Sequence, residues 1–407
     1  MTKVDVPGTL LLDSAVIEDP YPFYRRLRED APVWQASNTG LFTVSTFELV
    51  AEVTARIEDF SSNITRLFYR DDAGLPCRVS FGEDVGQVLA TADPPAHALH
   101  RGTVFPELVA KRMETLEPDV VQIANACIDR ALAEATVDYM EVVGNIVPIT
   151  MISRLIGFQD SDLDQLLQAA FDSTEMLGGT LSLDELGALM ARSLEVQSYI
   201  AGQLATALSA PGDDLLGAVA RGLTNGVFEE PGARVMLQTL LSAGGESTTS
   251  LLGNSVRILA EDQNLQDQLR ANPEQIPAFV EEALRLESPF RFHMRSTPRD
   301  TTLGGVDIAA ESTLLLLWGA ANRDPAEFDH PDQIDLGRPT PRHHVGFGRG
   351  MHHCVGAPLA RMEARVVLTA LLERTGRIAL DPGRAPTWVD SLMVRRHARL
   401  PVQLVPR

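Results

Sequence analysis

The sequence predicts a mainly α-helical protein with a small β part. Of its 407 residues, 44% are hydrophobic and 22% are charged, which is the balance of a globular protein with a sizeable core. From residue 93 onward, apolar residues recur at every third or fourth position, a spacing typical of amphipathic helices. No repeat or low-complexity linker divides the chain, so we expect residues 1–407 to form a single domain.

The elements follow from local patterns along the chain. Pro20 and Pro22 introduce an amphipathic segment and predict a helix start, because proline is favoured in the first turn. Glycine-bounded stretches at 41–46 and 303–308 alternate or carry β-branched residues, which predicts two short strands. The main helices are predicted at 116–135, 161–177, 183–209, 231–262, 274–286 and 358–374.

Charge and cysteine usage exclude several classes of protein. The chain has 35 basic and 55 acidic residues, and the resulting net charge of −20 argues against sequence-independent binding to nucleic acid or anionic membranes. Three widely spaced cysteines form no disulfide framework. Residues 1–20 lack the order of a signal peptide, and the longest apolar stretch, 313–321, is about half of a membrane span. We therefore expect a cytoplasmic protein without a membrane anchor.

The most informative stretch surrounds Cys354. Residues 347–356 read Phe-Gly-Arg-Gly-Met-His-His-Cys-Val-Gly and precede a predicted helix. Glycines let the backbone approach a flat ligand closely, and N–H groups at a helix start stabilise a thiolate. A cysteine in this position can therefore ligate haem iron.

Two other interpretations of Cys354 remain open on spacing alone. It could be a small buried hydrophobe, as we expect for Cys77 and Cys127. A zinc site is less favoured, because successive residues such as 352–354 cannot easily converge on one tetrahedral ion. The histidines that would belong to such a site are His343, His344, His352 and His353.

A resemblance to a known family favours haem. Phe347-Gly-x-Gly-x-His-x-Cys-x-Gly356 resembles the haem-binding signature of the cytochrome P450 family at every fixed position. Glu282-Ala-Leu-Arg285 resembles the family's Glu-x-x-Arg pair, and Arg338 would be the third member of that ion network. Segments 93–97 and 320–325 are similar to bacterial members. The amino-acid sequences of segments 243–248 and 315–325 are most similar to a mycobacterial subfamily, family 144.

The resemblance implies the cytochrome P450 fold, a triangular helical prism around a buried haem. It implies a haem b cofactor with Cys354 as the metal ligand, and a monooxygenase that inserts one oxygen atom from O2 into a mostly apolar small molecule. Electrons would come from a ferredoxin and its reductase, because the sequence contains no flavin or nicotinamide motif. The family positions that contact the haem fall at His97, Arg101, Ala243, Gly244, Arg295, Phe347, Gly348, His352 and Gly356; of these, His97, Arg101, Arg295 and His352 would hold its propionates.

A second motif lies within the helix predicted at 231–262. Gly244 and Gly245 each cost about 1 kcal/mol in a helix, so they indicate either close helix packing or a notch for water or a ligand. The resemblance implies an oxygen-binding notch, with Glu246 as distal acid and Ser247 over the iron. Ser247 stands where the family usually has threonine, and its rotamer is less restricted. Thr248 lies about 100° further round the helix.

The substrate pocket is predicted by resemblance to be mostly apolar. Its walls would come from residues 66–90, the helices at 161–190, Leu240 and Leu241, and residues 290–294 and 392–394. The large apolar side chains available are Phe68, Phe81, Phe290, Phe292, Met294 and Met393. His293 is the polar exception, and we expect it to be buried at the haem edge with a backbone partner.

A basic patch is predicted around the cysteine, where it would steer an acidic ferredoxin. The alternative is a set of scattered, solvated arginines. The residues of this patch are Arg101, Lys111, Arg112, Arg349, Arg361 and Arg365.

Two further functions compete with the monooxygenase. One is a peroxide-driven or non-oxidative haem-thiolate enzyme, and the other is a haem-based ligand carrier or sensor that does not turn over. Retention of both Glu246 and Ser247 favours the monooxygenase, because a carboxylate and a hydroxyl form a plausible proton relay.

Overall fold

The computed structural model describes residues 6–37, 40–80 and 87–407. Helices dominate this part of the chain. They are α1 (Ser14–Glu18), α2 (Tyr21–Asp30), α3 (Phe47–Ala55), α4 (Ala96–Val104), α5 (Ala110–Leu132), α6 (Ile146–Ile156), α7 (Leu163–Glu175), α8 (Leu183–Ser209), α9 (Leu215–Thr224), α10 (Glu230–Glu261), α11 (Gln263–Ala271), α12 (Ile276–Leu286), α13 (Trp318–Ala321) and α14 (Ala357–Arg374).

The strands are short and form small sheets. They are β1 (Val33–Ser37), β2 (Leu41–Val44), β3 (Arg66–Arg70), β4 (Pro76–Ser80), β5 (Val137–Asp138), β6 (His293–Ser296), β7 (Thr301–Leu303), β8 (Val306–Ile308), β9 (Thr313–Leu316), β10 (Thr375–Leu380), β11 (Thr387–Trp388), β12 (His397–Arg399) and β13 (Pro401–Pro406). This composition confirms the prediction of a mainly α protein with a small β part.

Helix α10 is the axis of the molecule. It runs for 32 residues and packs against α6, α7, α12 and α14. Most of its side chains are buried, and they join the largest hydrophobic cluster together with residues of α5, α6, α9 and α14. A helix that is apolar on most faces belongs in the interior, where burial of each large side chain contributes about 2 kcal/mol.

The helices around α10 begin at polar caps that the sequence supplies. The Asp162 carboxylate accepts from the N–H groups of residues 164 and 165 at the start of α7. Ser182 and Glu185 form a reciprocal capping box at the start of α8. Asp214 caps α9 in the same way as Asp162 caps α7. Each cap satisfies N–H groups that a helix start leaves without partners, which stabilises it by about 1 kcal/mol.

The largest sheet has the strand order β1-β2-β9-β6. Strands β2 and β9 are parallel, with Leu41 opposite Thr313, whereas β6 runs antiparallel to β9. A second sheet has the order β10-β13-β5, and the pairs β3-β4, β7-β8 and β11-β12 are two-stranded. The first sheet matters most for the site, because β6 carries both His293 and Arg295.

The helix predictions agree with the structure to within a few residues, except that α5 begins at Ala110 instead of residue 116. Pro20 and Pro22 lie at the start of α2 as predicted. The prediction of a single strand at 303–308 is wrong. Gly304 and Gly305 both adopt positive φ, at 56° and 77°, and turn the chain between β7 and β8. Two adjacent glycines in the left-handed region are typical of a tight hairpin turn.

Candidate active site

The loop before α14 holds Cys354 by its backbone. The Cys354 N–H donates to the carbonyl of Phe347 at 2.9 Å, which closes the loop. Gly348 and Gly350 have φ of 70° and 73°, a conformation that residues with a Cβ rarely adopt. Burial raises the pKa of the Cys354 thiol, while the N–H groups of Gly356 and Ala357 act in the opposite direction. These N–H groups at the start of α14 aim positive charge at the sulfur.

A large cavity, here called the central cavity, is lined by Cys354, by α10 and by β6. Its empty volume is about 1350 Å3, and its wall is mostly apolar. The predicted site residues on this wall are His97, Arg101, Ala243, Gly244, Ser247, Thr248, Arg295, Phe347, Gly348, His352, Cys354 and Gly356. Glu246 is the one predicted site residue that does not lie on it. Residues that are far apart in sequence are thus brought to one space.

Four nitrogen-bearing side chains, here called the His–Arg group, lie on the wall of this cavity. They are His97, Arg101, Arg295 and His352. The rings of His97 and His352 have centroids 4.2 Å apart. The Arg101 guanidinium donates to the carbonyl of His353 at 2.9 Å, and that of Arg295 donates to the carbonyl of Met294 at 2.7 Å.

Within the described residues, the His–Arg group has backbone acceptors for its two arginines but no anionic partner. Both ring nitrogens of His352 are buried without a hydrogen-bond partner, and burial lowers the pKa of this ring to about 3. Burial also lowers the pKa of Arg295 to about 10. Within the described residues, no carboxylate lies at ion-pair distance from Arg101 or Arg295. Buried donors without acceptors are costly, so the group fits an anionic ligand such as the two propionates of a haem.

Comparison with known proteins agrees with this fit. The family model described as Cytochrome P450 matches residues 225–387. Over 387 residues, covering 94% of this chain and 88% of the relative, the sequence is 42% identical to "Cytochrome P450 144" of Mycobacterium tuberculosis strain H37Rv. The chain belongs to the cytochrome P450 family.

Other P450s share the fold along nearly the whole chain. The 6-deoxyerythronolide B hydroxylase of Saccharopolyspora erythraea is 32% identical over 404 residues, covering 95% of this chain and 96% of that protein. A mutant of P450 EryK in complex with erythromycin B superposes with a TM-score of 0.86 at 28% identity, covering 98% of each chain. CYP109E1 from Bacillus megaterium in complex with testosterone superposes with a TM-score of 0.85 at 26% identity, covering 96% of this chain and 99% of that one.

Membership of the family establishes the class of chemistry. The protein is a haem-thiolate monooxygenase, and its cofactor is haem b, which P450s bind through a cysteine thiolate. The P450 fold therefore surrounds the central cavity, as the sequence resemblance predicts. Among the helices of the described ranges, none is both long and apolar enough to cross a membrane.

Gly244 allows close packing of α10 against α6. A Cβ on Gly244 would lie 2.7 Å from the side chain of Ile152 in α6, whereas one on Gly245 would make ordinary contact with Ala170 in α7 at 3.4 Å. Of the two interpretations from sequence, close packing therefore applies to Gly244. Gly244 also lies on the wall of the central cavity, whereas Gly245 does not, and the oxygen-binding notch stays a prediction.

Ser247 and Thr248 both lie on the cavity wall. The Ser247 hydroxyl donates to the Ala243 carbonyl one turn earlier at 2.5 Å, so its lone pairs remain free to accept. Ser247 is partly accessible from the cavity, and Thr248 is almost fully buried. Although the two side chains differ by about 100° in helical angle, both reach the same space.

Glu246 lies off the wall of the central cavity. Its carboxylate is buried between α7 and the C-terminal strands, where it forms an ion pair with Arg396 at 2.7 Å. It also accepts from Thr174 at 3.2 Å and from Ser250 at 3.4 Å. Burial raises the pKa of Glu246, and Arg396 opposes that rise. The role of distal acid, which the resemblance implies for Glu246, stays a prediction, and the carboxylate that would fill it lies behind the cavity wall.

The predicted ion network is present below α12. Arg285 donates to both oxygens of Glu282 at 2.8 and 2.9 Å, and Arg338 donates to the same carboxylate at 2.9 Å. A second N–H of Arg338 donates to the carboxylate at 3.3 Å, and the N–H of Asp335 adds a fifth hydrogen bond at 2.9 Å. Glu282 and Arg285 are fully buried. Hydrogen bonds from both arginines lower the pKa of Glu282 against the effect of burial.

Several side chains that the sequence predicts on the substrate wall are instead packed in the core. Phe68 lies against Gly179, where a Cβ would come within 1.7 Å of the Phe68 ring, and its ring centroid is 6.0 Å from that of Phe292. The Leu392 N–H donates to the Gly178 carbonyl at 3.1 Å and ties the α7–α8 connection to the 392–394 segment. Phe68, Phe292, Met294 and Met393 form one core cluster. Such packing buries apolar surface in the absence of a ligand.

The cavity wall keeps a smaller set of the predicted substrate contacts. Phe290 and Leu240 lie on it, together with Leu89, Ala90 and Pro289. Leu241 is instead buried in the main core. Phe81 falls outside the described residues.

His293 has a different partner from the one that the sequence predicts. Its Nδ1 accepts from the indole N–H of Trp318 at 2.6 Å, not from a backbone group. Both side chains lie on the wall of the central cavity. Sequence reasoning missed the roles of Trp318 and Arg396, since each meets its partner only through the fold; the signal available for Trp318 was its place within the matching segment 315–325.

The arginines around the cysteine are only partly free. Arg361 pairs with Glu281 at 2.6 Å, and Arg365 pairs with Glu117 at 2.6 Å. Arg112 lies 3.8 Å from Glu107. The guanidinium groups of Arg101 and Arg349 instead lie 5.6 Å from the rings of Phe105 and Phe47. The side chain of Lys111 falls outside what the structure describes.

Proposed function

We propose that this P450 hydroxylates a mostly apolar small molecule with electrons from a ferredoxin and its reductase, using residues 1–407 as one haem domain. The observation that carries the proposal is the central cavity, whose wall contains a cysteine thiol, the hydroxyls of Ser247 and Thr248 and the His–Arg group. Haem b, when bound, supplies the activation of O2 and the insertion of one oxygen atom into the substrate.

Cys354 is the proposed metal ligand. Its loop is fixed by the Phe347 carbonyl, and the N–H groups at the start of α14 support a thiolate. The flanking residues Phe347, Gly348 and Gly356 leave room for a flat ligand, since a Cβ on Gly356 would lie 3.8 Å from the sulfur. His97, Arg101, Arg295 and His352 are the proposed partners of the propionates. Ala243 and Gly244 form the part of the α10 wall that the cofactor would face.

Ser247 is the proposed hydroxyl of the proton relay. Its own proton is committed to the Ala243 carbonyl, so the oxygen accepts a hydrogen bond from a water in the cavity and holds that water in place. Thr248 supplies a second hydroxyl on the same wall.

Glu246 is the proposed source of protons behind that wall. Buried beside Arg396, it holds a carboxylate whose pKa burial raises, so a modest change in its pairing alters its protonation. To pass a proton to the cavity, the carboxyl must exchange Arg396 for a water that also contacts Ser247.

The substrate is proposed to be compact and mostly apolar. Leu89, Leu240, Pro289 and Phe290 supply the accessible apolar wall, whereas Phe68 and Met393 are packed together. A larger ligand would have to separate Phe68 from Gly179. Apolar pockets with few polar groups favour ligands of the same character.

The ferredoxin is proposed to dock on the side of α4 and α14. Within the described residues Arg349 has no ion-pair partner, whereas Arg112, Arg361 and Arg365 have acidic partners. Arg101 has no acidic partner either, but its guanidinium is already proposed to hold a propionate. The basic patch is therefore smaller than the sequence predicts, and Arg349 is the described member that remains to attract an acidic protein.

The experiment that tests this function is a two-stage screen. Ligands of graded size are first added to the ferric holoenzyme, and the spectral shift that accompanies loss of water from the iron is recorded. Hits are then incubated with NADH, a ferredoxin, its reductase and oxygen-18 gas. Incorporation of one labelled atom into the product supports the proposal. Product formation with hydrogen peroxide alone, or ligand binding without turnover, would instead favour the peroxide-driven enzyme or the carrier.

A further inference from the structure

Two side chains beside the His–Arg group are joined by a short hydrogen bond. His293 is the first residue of β6, and Trp318 begins α13, two residues after Leu316, the β9 residue that pairs with His293. This register brings the indole over the imidazole. The N–H of Trp318 donates to Nδ1 of His293 at 2.6 Å, and the indole is 2% exposed.

This hydrogen bond fixes the tautomer of His293. An indole N–H can only donate, so Nδ1 must be the accepting, unprotonated nitrogen. Burial lowers the pKa of His293 to about 4, and the nearby Arg295 guanidinium acts in the same direction. The ring is therefore neutral near pH 7, and its one proton is on Nε2.

The Nε2–H group has no partner in the protein. Within residues 6–37, 40–80 and 87–407, no acceptor bonds to this nitrogen, although His293 lies on the wall of the central cavity. His293 and Arg295 are two residues apart on β6, so their side chains project from the same face of the strand. Both lie with His352 on the wall of the central cavity. His293 thus borders the His–Arg group.

We propose that His293 is a fifth residue of the haem propionate site and that Trp318 is its positioning residue. Nε2–H of His293 donates to a propionate oxygen, and the indole N–H keeps the ring in the only tautomer that can do so. The proposal rests on the propionate site described under the proposed function. A carboxylate offers about four lone pairs, so one more donor beside His352 and Arg295 has an acceptor available.

A substrate acceptor is the competing occupant of this N–H. The His–Arg group favours the propionate, because the cationic Arg295 lies beside His293 on β6 and attracts the same anion. The ring of Phe290 stands edge-on to that of His293 at 5.6 Å, so apolar surface also lies beside the imidazole.

The test measures haem loss from the holoenzyme to apomyoglobin. His293→Phe removes the donor and keeps a ring, so the rate constant should rise about tenfold, the lower end of effects for outer-shell partners. His293→Gln retains an N–H donor, so its rate constant for haem loss should rise less. Trp318→Phe keeps the buried ring but frees the tautomer, so its rate should lie between those of the wild type and His293→Phe.

Thr239→Val is the matched control. Thr239 lies on the same cavity wall, but its hydroxyl already donates to the Val235 carbonyl at 2.7 Å. Its haem-loss rate should equal that of the wild type. Resonance Raman spectra supply a second readout, since the propionate bending mode should shift in His293→Phe and Trp318→Phe and not in Thr239→Val.

The outcomes separate this proposal from the proposed function. A wild-type protein that retains no haem at all would overturn both. A wild-type holoenzyme with unchanged haem loss and Raman spectra in His293→Phe would overturn the propionate role of His293 and leave the proposed function standing. If His293→Phe weakens only the binding of ligands that carry a hydrogen-bond acceptor, the donor serves the substrate and the proposal is wrong.

Discussion

Glu246 and Arg396 form a buried ion pair, with 2.7 Å between the carboxylate Oε1 and the guanidinium Nε. Arg396 also lies over the ring of Phe171, 3.7 Å from its centroid. The pair joins the middle of α10 to the segment before β12, next to residues 392–394. In the proposed proton relay, the C-terminal segment therefore acts on proton delivery, because any movement of Arg396 changes the partner of the Glu246 carboxylate.

Arg396→Gln should leave Glu246 protonated at neutral pH. Burial already raises the pKa of Glu246, and removing the guanidinium leaves only the hydroxyls of Thr174 and Ser250 to oppose it. An infrared difference spectrum against the wild type should show a new protonated-carboxyl band at pH 7. The band should be absent from Arg396→Gln combined with Glu246→Gln, and Arg396→Lys should resemble the wild type. A spectrum without a new band would mean that Arg396 does not control this proton.

Ser247→Ala should uncouple oxygen consumption from product formation. The substitution removes the acceptor that holds water on the cavity wall, yet it removes no core volume, so haem and carbon monoxide binding should persist. We expect the ratio of product to NADH to fall several-fold, with peroxide rising in parallel, since acid–base groups contribute about a hundredfold or more. Ser247→Thr should keep or improve the ratio.

Thr248→Ala is the comparison for Ser247→Ala, and it should uncouple less. Both residues lie on the cavity wall, but Thr248 is more deeply buried and is rotated by about 100° around α10. If Thr248→Ala uncouples and Ser247→Ala does not, Thr248 is the relay hydroxyl. If neither uncouples, protons reach the cavity through water and Glu246 alone.

Cys354→Ala should abolish the carbon monoxide band that gives the P450 family its name. Cys354→His should move the reduced carbon monoxide complex to the region of histidine-ligated haem. The matched control is Cys127→Ala, which removes a thiol buried in α5, away from the central cavity. Reduced spectra with carbon monoxide check all three variants. A wild-type band in either Cys354 variant would exclude Cys354 as the ligand.

Glu282→Ala should give little haem-loaded protein. The change leaves Arg285 and Arg338 buried without their carboxylate, which costs on the order of 3–5 kcal/mol. Glu117→Gln removes a carboxylate from the half-exposed pair with Arg365 and should cost less than about 1 kcal/mol. Denaturant unfolding and the ratio of haem to protein absorbance measure both. Equal yields for the two variants would contradict a structural role for Glu282.

Glu287 should make the fold sensitive to acid. It is buried among Arg395, Arg257 and Arg323, which lower its pKa from 4.5 to about 2 against the effect of burial. A depressed folded-state pKa stabilises the fold fully above the unfolded value and loses that effect as pH falls towards 2. The difference in unfolding free energy between the wild type and Glu287→Gln should therefore shrink by about 3 kcal/mol between pH 4.5 and 2.

The control for Glu287 is Glu261, which pairs with the same Arg257 on the surface of α10. Glu261→Gln should change the unfolding free energy by about 0.5 kcal/mol or less, because exposed i,i+4 pairs contribute little. Urea unfolding at several pH values measures both variants. A pH-independent difference for Glu287→Gln would show that its packing, and not its charge, stabilises the fold.

The sequence predicts those parts of the site that depend on local structure. The Cys354 loop needs glycines at positive φ and a helix that starts directly after it. The residues that meet both needs lie within 347–357, so a local pattern reveals them. His97 and Arg101 lie on one face of α4 because their spacing is one helical turn. The helices are predicted for the same reason, since each one buries its own apolar stripe.

The rest depends on contacts between distant residues. Glu246 turns from the cavity because Arg396, 150 positions later, supplies a charge that no local pattern reveals. Phe68 leaves the predicted substrate wall because Gly179 has no side chain and offers it a flat surface. The sequence predicts one strand at 303–308 where the structure has a hairpin turn, because two adjacent glycines tolerate both an extended and a left-handed backbone. In each case the competition between alternative partners decides the outcome.

The parallel pairing of β2 with β9 has a consequence for synthesis of the protein. Leu41 faces Thr313 in this pair, so one edge of β2 has no partner until residue 313 has been translated. The strand β6, which carries His293 and Arg295, pairs with the same β9. Pairings between such distant residues form slowly. On the ribosome, therefore, the N-terminal strands emerge with an open edge, and β6 is paired only after β9 has followed it.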